Sequence, residues 1–402
     1  MSPSSNIIIG GGLAGKVMSL CLRHQGIPST ILEKSSTGSY EDDGRVFALS
    51  NGSIRILKGI GLWDDLLPSV TPVKKIHVSI KGRFGSTLID AKKEGVSELG
   101  CSVPIQKLNQ ALHEGVKSAK EITFIDSAEI MAFSDDSKDV LSIDVKHDGK
   151  QRKITPQLLI ASDGMHSQIR NALNIKSAMI DYNQTALTFI FKATEPKKFM
   201  AFERFTTKGS IAVLPSGDNL YTAIWVLSTK QATLIQSQKI NIEDELVTFF
   251  GKRLGSMKII GPLFSYPLFQ SSSEQIVKGN TVLIGSSALH LHPIAGQGYN
   301  LVLRDAAFLA ETLGSIVAME MSNDHIRNCL NEYVRWRKED QLKVKRFTHF
   351  LASSFSVVKG FRGNLFAKSL LLFDLLPMAK SILSKHTMGL AGKTPKIMNS
   401  KY

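Results

Sequence analysis

At 402 residues the chain has room for two or three domains, and 43% hydrophobic with 21% charged residues is the balance of an ordinary water-soluble globular protein. No apolar run reaches the roughly 18 to 20 residues that cross a bilayer, which argues against a spanning helix. A formal net charge of +14 favours an anionic partner, be it nucleic acid, acidic lipid or a phosphorylated cofactor, and does not choose among them.

The first residues show no charged region ahead of an apolar stretch and cleavage site, so no signal peptide is expected, and Ile7 to Ile9 reads as a strand. Leu13 to His24 follows as a helix, and Thr30 to Leu32 as a second strand ending in Glu33, completing a βαβ unit and predicting a parallel sheet. From Lys75 to Asp90 the alternation of Ile76, Val78 and Ile80, a turn near Lys81 and Gly82, and a return to Ile89 predict an antiparallel hairpin. Ile105 to Lys117 reads as a helix, Ile122 to Val145 as two strands, and Leu158 to Ala161 as a buried strand entering Asp163 and Gly164. Thr185 to Phe269 is a region of alternating strands. Thr281 to Ile284 returns to the parallel type, a long helix is expected from Tyr299, and the chain beyond Ile326 is helical and basic.

Cys21, Cys101 and Cys329 have no metal-ligand spacing; they read as buried thiols of a reducing compartment, and no metal site is expected. Trp63, Trp225 and Trp336 read as packing residues. The basic run Arg335, Arg337, Lys338, Lys343, Lys345 and Arg346 reads as a solvated helix face. Near the C-terminus Phe361, Leu365, Leu370 and Phe373 interleave with Arg362 and Lys368, the pattern of a helix either packed on the core or lying in a membrane interface.

Three segments carry chemistry. In Gly10, Gly12 and Gly15 the first glycine permits a tight turn, the second lets backbone approach a pyrophosphate and the third allows close helix packing. Phosphates would sit on the helix N-terminus, and Glu33 lies where a carboxylate accepts ribose hydroxyls. The second segment, Leu159 to Arg170, runs from a buried strand into Asp163-Gly164, with Ser167 and Arg170 at helical spacing. The third runs from Thr281 through Gly285-Ser286-Ser287-Ala288 to His292-Pro293-Ile294-Ala295-Gly296-Gln297-Gly298-Tyr299-Asn300 and on to Arg304-Asp305. His292 before a proline reads as structural, and no catalytic acid or base is assigned.

Taken together these segments resemble the FAD-dependent aromatic hydroxylases, whose second motif is D-G-x-x-S-x-x-R. The third segment looks like their ubiquinone-biosynthesis branch, the 2-octaprenyl-6-methoxyphenol hydroxylase group. The resemblance extends from residue 7 to about 390 and includes Asp43 to Ser50, Ala201 to Phe205 and Met388-Gly389. It implies a class A monooxygenase with an α/β fold: a Rossmann-like FAD-binding domain of the para-hydroxybenzoate hydroxylase type, an inserted antiparallel-sheet substrate domain and a helical C-terminus. The boundaries expected are 1–75, 90–180 and 275–350 for the FAD domain, 76–89 and 181–274 for the substrate domain, and 351–402 for the C-terminal region.

For the site, the resemblance implies that Gly10, Gly12, Leu13, Ala14, Gly15, Glu33 and Lys34 hold the ADP half of FAD. Arg45 and Val46 would lie by the phosphates and ribityl chain, and Asp163 and Gly164 behind the pyrophosphate. Gly296, Gln297, Gly298 and Asn300 would pass the flavin ring, with the following helix aimed at its pyrimidine end, where a positive helix end stabilises reduced flavin. Two positions depart from the family. Ser286 stands where an Asp is usual, with Leu289 in place of the following His and His290 one residue late; Gln106 lies near the place of a usual Arg.

The implied activity is ring hydroxylation of a polyprenylated phenol with O2 and NAD(P)H. The expected location is the cytoplasm, with peripheral attachment to the inner membrane, and a ubiquinone-synthesis complex as a further partner. The rival readings are another flavoprotein of the same fold (a different aromatic hydroxylase or a prenyl reductase) and a non-catalytic flavoprotein subunit of such an assembly. Nucleic acid is not expected, because no recognition module accompanies the charge.

Overall fold

The structure, a computed structural model, describes residues 6–36, 44–82, 86–137, 140–314, 322–353 and 377–399. Its base is a six-stranded sheet in the spatial order Val277–Lys278, Thr281–Leu283, Leu158–Ala161, Asn6–Ile9, Ser29–Leu32, Ile122–Ile125. All pairings are parallel except that of Val277–Lys278. Asn6–Ile9 and Leu158–Ala161 are buried at every position, as expected of strands covered on both faces. Side chains alternate between two cores. Ile8 and Ile160 face a core built with Val17, Leu20, Leu108, Leu303 and Phe308 of the helices Leu13–His24, Ile105–Ser118 and Gln297–Gly314. Ile7, Ile9 and Leu159 face Ile143 and Val145 of an antiparallel sheet formed by Glu129–Ser137, Val140–His147 and Lys150–Ile154. Each fully buried Ile contributes roughly 1.5–3 kcal/mol, so the period-two pattern pins the register of the whole sheet.

Above this base lies an eight-stranded sheet, in the order Leu289–His290, Met257–Ser273, Ser177–Ala193, Leu220–Ser228, Gly209–Pro215, Met200–Thr206, Lys75–Ile80, Ser86–Asp90. The hairpin expected near residues 75–90 forms and joins this sheet through a parallel pairing of Lys75–Ile80 with Met200–Thr206. The outer face, with Leu187, Phe189, Phe191, Val213 and Trp225, is closed by Ala232, Ile235, Phe249 and Phe250. Those last four belong to helices Thr229–Gln236 and Ile242–Phe250, in a stretch the sequence reading assigned to strands. Asn241 supplies the missed start signal: its Oδ1 accepts from Glu243 N (2.9 Å) and Asp244 N (3.2 Å), and acidic residues fill the first turn.

Other boundaries shift. The long strand Ser177–Ala193 begins before the expected substrate region, and the region expected to hold two strands from Ile122 contains three, the third ending at His147. The helix expected from Tyr299 starts at Gln297. The long helix Asn323–Ser353 is not uniformly solvated: Arg337 is buried, its guanidinium binding Asp305 Oδ1 (2.6 Å) and Asp340 Oδ2 (2.7 Å). Trp225 is fully buried, while Trp63 and Trp336 pack on the edge of the main core. All three cysteines are buried, and burial pushes the Cys21 and Cys101 thiols up to about 12. The apolar and basic stretch from Phe361 to Phe373 lies outside the described residues.

Candidate functional site

The glycine turn joins the strand Asn6–Ile9 to the helix Leu13–His24. Gly10 sits at φ +98°, a conformation that side chains resist, and a Cβ there would press to 2.6 Å on the Ser162 carbonyl. A Cβ on Gly15 would overlap the Gly10 carbonyl, so the helix can close on the strand only with glycine at that position. A Cβ on Gly12 meets nothing within 4 Å: the backbone ahead of the helix N-terminus is open, as a cradle for phosphate must be. Glu33 accepts from Gly11 N (2.5 Å) and Ser35 N (2.8 Å), fixing the carboxylate beside the turn with a lone pair left on each oxygen.

The second and third motifs lock onto the first. Ser162 Oγ donates within 2.8 Å of the carbonyls of both Ile9 and Gly10. Asp163 Oδ2 caps the short helix Gln168–Ala172, accepting from Gln168 N (2.7 Å) and Ile169 N (3.2 Å). Its Oδ1 is buried without a partner among the described residues. Ser167 Oγ accepts from Arg170 N (3.0 Å), and buried Arg170 donates to the carbonyls of Met165 (2.7 Å) and Ser287 (3.0 Å). The spacing D-G-x-x-S-x-x-R thus builds a capped helical turn that clamps the third motif.

In the third motif Ala295 (φ +60°) and Gly296 (φ +60°) turn the chain into the helix that starts at Gln297. Asn300 spends its whole side chain on the frame. Its Nδ2 donates to Ala48 O (2.8 Å) and Gly296 O (2.6 Å), and its Oδ1 accepts from Ser50 N (2.8 Å) and Ser53 Oγ (2.6 Å). Asn300 therefore acts as a brace between the turn and the strand Val46–Ser50. His292 is a second brace, and its contacts fix the tautomer: Nδ1 accepts from Ile294 N (3.2 Å) and Nε2 donates to Gln184 Oε1 (3.0 Å). Burial, with neighbouring His290, lowers its pKa to about 4, so it stays neutral. The structural reading of His292 fits this geometry. Ser286 Oγ meets His290 Nδ1 at 3.2 Å, so the displaced histidine reaches the serine that stands in the Asp position.

These segments surround one cavity of about 1130 Å³. Gly12, Leu13, Ala14, Arg45, Val46, Gln106, Gly164, Ser286, Gly296, Gln297, Gly298 and Asn300 all line it. The Arg45 guanidinium lies 5.5 Å from the Tyr266 ring centre, which places the cation at the cavity wall. Gly10, Gly15 and Glu33 do not line it; they shape the turn that Gly12 and Leu13 carry to its wall. Lys34 is exposed and does not line it. The open cradle at Gly12 and the volume of a cavity lined from Gly12 to Gly298 fit a dinucleotide such as FAD.

Three lining or neighbouring residues escaped the sequence reading. Lys16 is fully buried, with Nζ donating to Asn109 Oδ1 (2.8 Å); burial outweighs the pull of Glu33 and brings its pKa down to about 8. A lysine on the buried face of an otherwise apolar helix was the available signal. Asn109 lines the cavity itself. Glu203, on the strand Met200–Thr206, lines it from above, and burial raises its pKa to about 7. Glu203 falls in the Ala201 to Phe205 stretch that carries the resemblance, but its place over the cavity follows from strand pairing.

A parallel sheet with a glycine turn at its carboxyl edge, roofed by an antiparallel sheet over a shared cavity, is the architecture of a flavin-binding oxidoreductase. The chain belongs to the FAD binding domain family, whose profile matches residues 4–347. It is 29% identical over 357 residues to the ubiquinone hydroxylase UbiL of Rhodospirillum rubrum, covering 87% of this chain and 81% of that protein. It is 26% identical over 319 residues to the 3-demethoxyubiquinol 3-hydroxylase of Escherichia coli, covering 77% and 80%. The crystal structure of p-nitrophenol 4-monooxygenase PnpA from Pseudomonas putida DLL-E4 superposes with a TM-score of 0.76 over 98% of this chain and 99% of that one, at 14% identity. That likeness shows the fold: the FAD-binding α/β arrangement with an inserted antiparallel sheet, as the motifs led us to expect.

Proposed function

We propose that the protein is an FAD-dependent monooxygenase that hydroxylates the aromatic ring of a polyprenylated phenol in ubiquinone biosynthesis, with NAD(P)H as electron donor. The observation that carries this reading is the single cavity running from the glycine turn, past Gly296 to Gly298, to an apolar ceiling that includes Ile76, Val78 and Ile224. One end suits a phosphate-bearing cofactor and the other a greasy ring. When bound and reduced, FAD supplies the activation of dioxygen that transfers one oxygen atom to the ring. The protein contributes placement and exclusion of water. The glycine turn and the helix N-terminus hold the pyrophosphate, and Arg45, Gln106 and Ser286 line the wall beside the remainder of the cofactor. The N-terminus of Gln297–Gly314 offers a positive end to charge developing on the ring system.

The relatives named as ubiquinone hydroxylases support the substrate class. A polyprenyl substrate resides in a bilayer, and Phe347, Phe350 and Leu351 line the cavity, with Phe350 54% exposed. Exposed Ile382 and the cations Arg346 and Lys385 lie on neighbouring chain, a composition that suits peripheral contact with an anionic membrane. No helix among the described residues is long and apolar enough to cross one.

The test is to load purified protein with FAD, reduce it with NADH or NADPH, and supply oxygen with a short-chain prenyl phenol. Hydroxylated product in step with reduced cofactor consumed is the expected result. Oxidation of the flavin with no hydroxylated ring, or saturation of a prenyl double bond, would overturn the reading.

A further inference from the structure

Among the described residues that line the cavity, Glu203 is the single carboxylate. Its place is set by pairing. In register beside it lie Val78 on one strand and Ala212 on the other, followed by Thr87 and Ile224 one strand further out. An acid in that row costs desolvation energy, and no side chain of the described residues binds it. Its sequence neighbour Arg204 turns to the outer face, donating to Ser79 Oγ (3.1 Å) and Phe249 O (3.1 Å). His77 also lies on that outer face, against Phe202, and Lys75 pairs with Asp90 at 3.6 Å. The other titratable groups lining the cavity among the described residues are Arg45, Cys101, Tyr266, His290 and Tyr299. A half-buried acid without a side-chain partner among the described residues, facing a ligand space, is the arrangement expected where the ligand supplies the missing donor.

We propose that Glu203 is a catalytic residue whose carboxylate accepts the hydrogen bond, and during the reaction the proton, of the substrate's phenolic hydroxyl. This rests on the reading of the substrate as a phenol. The phenolic O–H bond breaks as an O–H bond forms on Glu203, and the electron pair left on oxygen conjugates into the ring, raising its nucleophilicity toward the dioxygen-derived oxygen atom. When the ring regains aromaticity, the proton on the newly oxygenated carbon leaves to water. Glu203 then returns its own proton to the original oxygen and is again a carboxylate. Burial that holds its pKa to about 7 suits this exchange, because a base is most effective when its pKa lies near the working pH.

The deciding experiment uses oxidised, FAD-loaded protein, in which no turnover occurs, with 2-decylphenol and its methyl ether as probes and flavin fluorescence as readout. Wild-type protein should bind the phenol about tenfold more tightly than the ether above pH 7, the effect of one charged hydrogen bond, and lose that preference at lower pH. Glu203→Gln should keep its FAD affinity and show a preference that no longer changes with pH; Glu203→Leu should show none. During turnover the rise in rate with pH near 7 should vanish in Glu203→Gln. If both variants hold FAD and keep the wild-type preference and pH dependence, the assignment is wrong while the hydroxylase reading stands. If none of the three proteins binds the phenol, both fall.

Discussion

Below the cavity, Ser162, Arg170 and Asn300 spend their polar atoms on backbone groups of neighbouring segments; above it, Val78, Ala212 and Ile224 present a smooth apolar surface broken by Glu203. The floor is a hydrogen-bonded frame that joins three distant motifs and leaves backbone N–H groups open at one helix end. The ceiling is a sheet whose inward side chains are set only by strand register. A frame of that kind holds a cofactor of fixed shape, whereas a sheet surface adapts by exchanging side chains. Changes in the floor should therefore cost flavin and stability, and changes in the ceiling should alter what is bound and at what pH.

The largest effect is expected at Gly15→Val, because even a Cβ there overlaps the Gly10 carbonyl. The helix must move off the strand, and the purified protein should retain no FAD after gel filtration, read from the absence of flavin absorbance. Arg170→Ala should come next. It leaves the half-buried carbonyl of Met165 without this donor and that of Ser287 with Ser273 Oγ (2.9 Å) in its place, and should lower the free energy of unfolding in urea by about 2 kcal/mol. An unchanged urea midpoint would mean that the motifs are not clamped in this way.

In the ceiling, Glu203→Gln should have the opposite sign. The carboxyl's raised pKa means the folded state holds the proton more tightly than the unfolded one. That contribution is complete below about 4.5 and is lost as pH rises through about 7. The variant should thus be more stable than wild type at pH 8 by about 1–2 kcal/mol, after discounting for partial exposure, and equal to it in acid. Parallel urea titrations at pH 4 and pH 8 check both sign and window. The smallest effect is expected at Ser286→Ala, which removes the contact to His290 Nδ1 and should weaken FAD binding by about fivefold, measured by fluorescence titration. A loss a hundred times larger would show that Ser286 carries the full role of the family's acid.

How much of this was legible beforehand depended on range. The turn at Gly10 to Gly15, the helix Leu13–His24 and the strand Leu158–Ala161 are dictated by residues within a few positions of one another, and their outlines matched. The helices Thr229–Gln236 and Ile242–Phe250 were missed because short amphipathic segments inside a strand-rich region carry little periodicity; their caps at Ser228 and Asn241 were the better signal. Arg337 read as solvated because its partner Asp305 lies on another helix.

The sequence by itself determined the nucleotide-binding half of this protein. Glycines that permit a positive φ and close approach, a capped turn after Asp163, and a second glycine turn before a helix are local geometric requirements with few residue solutions. Only the tertiary structure decided the other half: that Ser286 meets His290, that Asn300 is fully engaged as a brace, and that Glu203 is the one acid over the cavity among the described residues. The last two depend on pairings between segments 100 residues or more apart, such as Asn300 with Ser50 and Glu203 beside Val78, which no periodicity encodes. They arise when buried apolar faces select one register of the roof sheet, and the side chains carried along in that register become the site.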